Sequence, residues 1–134
     1  MKKILILLLL MGGFPAFAAK ISVLDEAAQL GTMAGLAEAC GSTKKVEVFE
    51  LISARLIANK AISEEQEMEG YRRYAGEKVR AKQEHQKSPK LTCGEILNRF
   101  EKMPLFKSVV YKDGSLKFYD GTYYPAKGMY VKKQ

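Results

Sequence analysis

The sequence predicts an α+β fold that is mostly helical: about four helices, one disulfide, and a C-terminal β-hairpin or small meander. Three observations carry this. Apolar residues recur at steps of three and four from about residue 21 to Met103, the spacing of one helix face. After Pro104 the alternation shortens to a period of two, punctuated by Asp113-Gly114 and Asp120-Gly121, dipeptides that favour hairpin turns. Two cysteines, Cys40 and Cys93, both fall in the helical part. A chain of 134 residues, 47% apolar and 28% charged, is too apolar for disorder and too short for two domains.

The N-terminus reads as an export signal. Lys2 and Lys3 precede an unbroken apolar run from Ile4 to Met11, then Gly12, Gly13 and Pro15, then Ala16-Phe17-Ala18. Charged, apolar and small-residue regions in that order predict cleavage after Ala18. No cysteine follows the run to take a lipid anchor, and Lys20 ends it short of the about 20 residues a membrane span needs. The expected parts are a signal peptide at 1–18, a disulfide-stapled helical region at 19–104, and a hairpin segment at 105–134 packed on the helices. The net charge of +7 becomes +5 once Lys2 and Lys3 are removed. The expected location is exported, periplasmic or secreted, with no transmembrane segment after cleavage.

The first helix is expected over residues 21–40. Leu24, Ala28 and Gly31 step along it, as do Leu30, Met33, Ala34 and Ala37, with Gly41 as its C-terminal cap. A second should start near Ser42 or Thr43 and run to about Asn59, with Val46, Phe49, Ile52 and Leu56 on one stripe beside Ser53. The small residues of the first helix would let the second come close, and their joint burial is the expected core. Ser63-Glu64-Glu65-Gln66 has capping-box form and opens a third helix to about Gln86. Glu69, Arg73, Glu77, Arg80 and Glu84 alternate in sign along it, while Met68, Tyr71, Ala75 and Val79 make a narrow apolar edge. That helix should lie on the surface and touch the core along this edge. Ser88-Pro89 starts a further element, Thr92 and Glu95 offer a second capping box, and Cys93, Ile96, Leu97, Phe100 and Met103 form its inward face up to Pro104.

In the tail, strands at 108–112 and 115–119 flank Asp113-Gly114. A two-residue turn would pair Tyr111 with Leu116 and Val109 with Phe118 on one face, and Val110 with Lys117 on the other. Residues 122–124 follow as a third short strand. Pro125 and Gly128 weaken anything beyond, and Lys132, Lys133 and Gln134 should fray.

Cys40 and Cys93 read most simply as one disulfide in a chain that leaves the cytoplasm. Closing that loop restricts the unfolded chain by about 4 kcal/mol on a loop-entropy account. A redox pair or metal ligands are the alternatives. Exchange sites usually space their cysteines two residues apart, and a metal would need further ligands where His85 is the only histidine. No metal or cofactor is expected. Gly35-Leu36-Ala37-Glu38-Ala39-Cys40-Gly41, Gly70-Tyr71-Arg72-Arg73-Tyr74 and Cys93 together resemble small exported two-cysteine helical proteins of proteobacteria whose function is uncharacterised. The segment from Lys112 to Tyr124 is similar to short glycine-aromatic repeat modules. Neither likeness implies catalytic or binding residues.

Catalytic patterns are absent. No nucleophile elbow, phosphate loop or zinc-protease motif occurs. His85 falls among Lys82, Glu84 and Lys87 near the end of the most polar helix, where an exposed histidine suits the helix dipole. Glu64, Glu65, Glu67 and Glu69 are ordinary for a first helical turn. The chain is therefore expected not to be an enzyme. Arg72, Lys78 and Lys82 remain once the alternating ladder is set aside, with Tyr71 and Tyr74 close by, and Tyr111, Tyr119, Tyr123 and Tyr124 crowd the tail. These residues are the candidate contact surface of a non-catalytic envelope accessory or binding protein. Its partner would be an envelope protein or an anionic polymer rather than nucleic acid, which exported proteins seldom meet. The alternatives are an adaptor of a secretion or surface assembly, pairing through its strands, and a small carboxylate-dependent hydrolase.

Overall fold

The computed structural model describes residues 22–126. The expected signal peptide, its cleavage site and the frayed end at Lys132–Gln134 lie outside the described residues. Among the described residues four helices come first: α1 (Val23–Ala39), α2 (Thr43–Lys60), α3 (Glu64–Lys87) and α4 (Cys93–Glu101). A 3-10 turn over Pro104–Lys107 leads into a three-stranded antiparallel meander of β1 (Val109–Val110), β2 (Leu116–Lys117) and β3 (Tyr123–Tyr124), in the order β1-β2-β3. The fold class is the one expected. No helix among the described residues is long and apolar enough to cross a membrane.

The helix ends follow local chemistry. The Ser22 hydroxyl accepts from the Asp25 N–H to cap α1. At the other end Gly41 takes a φ of 89°, its N–H bonds the Glu38 carbonyl, and the Ser42 N–H bonds the Ala37 carbonyl. That pair of bonds is a Schellman motif. The Thr92–Glu95 capping box of α4 is complete in both directions. At α3 the serine half holds, with Ser63 Oγ accepting from the Gln66 N–H, but Gln66 Oε1 accepts from the Ile62 N–H instead of closing the box. Residues 88–92 are not helical. Pro89 sits in a connector, and α4 begins only after the Thr92 cap.

The main core joins Leu30, Ala34 and Ala37 of α1 to Val46, Phe49, Ile52 and Leu56 of α2, then to Phe100, Leu105, Leu116 and Phe118. Phe49, Phe100 and Phe106 stack mutually at 5.0 to 5.7 Å, spacings at which tilted rings attract. The C-terminal segment therefore supplies part of the core itself.

The closest helix pair is α1 with α3, where α2 was the expected partner. A Cβ placed on Gly31 would stand 2.2 Å from the Tyr74 carbonyl oxygen, and one on Gly35 2.2 Å from that of Lys78. The backbones touch, and only glycine permits it. This contact also corrects the expected inner edge of α3. Glu67, Gly70 and Ala81 are its buried residues, while Met68 and Val79 stay about half exposed. Small residues let α3 lie flat on α1, and that outweighs turning the bulkier stripe inward.

The hairpin register also differs. Val109 faces Lys117 and Val110 faces Leu116, one residue from the expected pairing. The turn has three loop residues: the Gly114 N–H bonds the Tyr111 carbonyl, the Tyr111 N–H bonds the Ser115 carbonyl, and Gly114 has a φ of 91°. This is a type I turn closed by a left-handed glycine bulge. Asp113 Oδ1 accepts from both the N–H and the hydroxyl of Ser115, which favours that turn over the two-residue one. Phe118, Asp120, Gly121 and Thr122 repeat the backbone bonds seven residues later.

Candidate functional site

Helices α2 and α3 run antiparallel and meet where Ile57 fills the space over Gly70; a Cβ there would lie 2.6 Å from Ile57 Cγ2. About two turns away a Glu50–Lys78 ion pair bridges them. Along this seam, from Ile57 and Tyr71 to Lys82 and Gln86, runs a cleft of about 660 Å³. Its apolar wall is Ala54 and Ile57 from α2 with Tyr71, Tyr74, Ala75 and Val79 from α3. The Tyr71–Ala75–Val79 stripe that the sequence assigned to the core thus faces the cleft.

The polar groups are few and placed. Ser53 is 1% exposed, lines the cleft, and its hydroxyl has no hydrogen-bond partner among the described residues. A buried hydroxyl without a partner costs about 1–3 kcal/mol, a cost that a polar atom brought by an occupant would remove. Tyr71 donates to the buried Glu67 carboxylate at 2.6 Å. Burial first, and then that carboxylate, hold its phenol above the ordinary range. Burial and the neighbouring Glu50 do the same for Tyr74.

Charges of both signs stand at the rim. Lys78 pairs with Glu50 and lies 3.8 Å from Glu38, whose carboxylate is also 3.6 Å from Lys82. Lys78 and Lys82 are therefore not spare cations. Arg72, the third expected spare, bonds Glu69 at 2.8 Å and lies apart from the cleft, near Glu64, Glu65 and Met68. The basic helix presents paired charges instead of an open positive face.

Of the expected contact residues, Tyr71, Tyr74, Lys78 and Lys82 come together in the cleft. The tail tyrosines do not join them. Tyr111, Tyr119 and Tyr123 are exposed on the meander, and Tyr124 packs half-buried against the core. Glu38, Glu50 and Ser53 were missed. Ser53 carries a usable signal, a polar residue one position from the Ile52 core stripe. Glu38 and Glu50 carry none, because their partners sit on another helix.

A second cluster lies at the far end of α3. Cys40 and Cys93 form a disulfide, as expected, with Cα atoms 5.4 Å apart. His85 is half-buried against it, Nε2 being 3.7 Å from Cys40 Sγ and 3.8 Å from Cys93 Sγ. This corrects the reading of His85 as an exposed helix-end residue. The two sulfurs and Nε2 are close enough to share a metal ion, yet sulfurs bonded to each other are not thiolates and do not ligate one.

No protein-family model matches the chain, and neither a curated protein nor a solved structure does.

Proposed function

We propose that this protein is an exported, non-catalytic binding module that holds an apolar-faced segment of an envelope protein in the α2–α3 cleft. The observation that carries the reading is the buried Ser53 hydroxyl, unpartnered in an apolar cleft with a charged rim. Helix-in-groove recognition uses such a surface: an apolar floor for burial, and a rim of both signs to set register. A polyanion fits less well, since Lys78 and Lys82 are already paired with Glu38 and Glu50. Those pairs also leave neither carboxylate free for acid–base work, which favours binding over hydrolysis. Strands of two residues offer little edge for an adaptor that pairs through its sheet. The disulfide suits an oxidising compartment.

The probe for the cleft is 8-anilinonaphthalene-1-sulfonate, an aromatic amphiphile of suitable size. Wild-type protein should enhance its fluorescence saturably near one equivalent. Ala75→Trp, at an exposed position lining the cleft, should abolish the enhancement with an unchanged melting temperature. Equal enhancement by both proteins would sink the reading.

A further inference from the structure

We infer that the Cys40–Cys93 disulfide is a thiol–disulfide exchange site, reduced by a dithiol with His85 as the proton donor. A cross-link that served stability alone would need no imidazole. Here the only histidine in 134 residues is brought from α3 to within 3.7 and 3.8 Å of both sulfurs, one at the C-cap of α1 and one at the start of α4. Cys93 is exposed while Cys40 is half-buried, so Cys93 is the more open of the two residues to an incoming thiolate. A pocket of about 220 Å³ reaches His85 and is lined also by Arg80, Glu84, Ser88, Lys90 and Leu91, though by neither sulfur. Cys93 is also the first residue of α4, where the unpaired N–H groups of the first turn favour a thiolate.

The chemistry balances. One thiolate of the dithiol attacks Cys93 Sγ, and the Cys40–Cys93 bond breaks with its electron pair leaving on Cys40 Sγ. The His85 imidazolium gives its Nε2 proton to that thiolate. The second thiolate of the dithiol then attacks its own sulfur in the mixed disulfide and expels Cys93 as a thiolate. Two electrons pass from the dithiol, which ends as a disulfide, to the protein, which ends as two cysteines. The two thiol protons of the reductant replace the one lost by His85 and protonate Cys93.

The test reduces the oxidised full chain with dithiothreitol in native buffer, counting thiols by alkylation and mass. Reduction of the folded wild type should proceed without denaturant, at a rate proportional to the dithiothreitol thiolate concentration. His85→Gln should lower that rate by at least about tenfold, while the oxidised protein keeps its melting temperature. Wild-type reduction that proceeds only in denaturant would overturn the inference by itself, whether or not the variant folds. So would equal rates in the folded variant and wild type.

Discussion

Gly31 and Gly35 set the distance between α1 and α3, and nothing larger fits at either position. Overpacking costs about 1–3 kcal/mol when side chains can shift. Here the obstacle is backbone, the Tyr74 and Lys78 carbonyls, so Gly31→Ala should lose about 3 kcal/mol, read as a lower urea midpoint. A loss under about 0.5 kcal/mol would show that the helices do not lie this close. The small residues of α1 were legible in the sequence as a site of close approach, but their partner was not. Periodicity assigns a residue to a face and cannot say which helix covers it. His85 shows the same limit. Its neighbours Lys82, Glu84 and Lys87 are exposed or partly exposed as their charges suggest, while the sulfurs beside it lie 45 positions before and 8 after.

Element by element, α1, α2 and α4 follow from their apolar stripes and caps, and α3 is where the pattern misleads. Met68, Tyr71, Ala75 and Val79 form a sound amphipathic edge, yet Gly70 and Ala81 face the core instead. Hydrophobicity ranks such small residues low, although Gly70 makes room for Ile57 of α2 and Gly31 and Gly35 of α1 admit the α3 backbone. In the tail, the turns were legible from their Asp-Gly pairs, but the loop length was not. The extra residue in the first loop moves the register by one. The pairing brings Leu116 and Phe118 into the core beside Phe49 and Phe100. Removal of residues 105–134 should therefore abolish cooperative unfolding in urea, because Leu105, Phe106, Leu116 and Phe118 leave the core together. A truncated chain with a sharp transition at the wild-type midpoint would contradict this packing.

Across the molecule, α1 organises both sites. One side of it meets α2 in the aromatic core and the other lies on α3, so α2 and α3 hold the cleft open between them. Cys40 caps the same helix, and its bond to Cys93 ties α4 to the bundle. The cleft was only half legible in the sequence: its tyrosines and lysines stood out, but the carboxylates that neutralise the lysines come from elements remote in the chain. That difference leaves an apolar cleft with a charge-balanced rim in place of an open positive face, the surface the proposed role calls for. The direct test places a photo-crosslinking residue at Val79, inside the cleft, or at Tyr123, exposed on the meander, in the cell that makes the protein. Val79 should give one discrete protein adduct that is lost when Ala75→Trp fills the cleft, and Tyr123 should give none. An adduct from Tyr123 alone, or one from Val79 that survives Ala75→Trp, would contradict the proposed role.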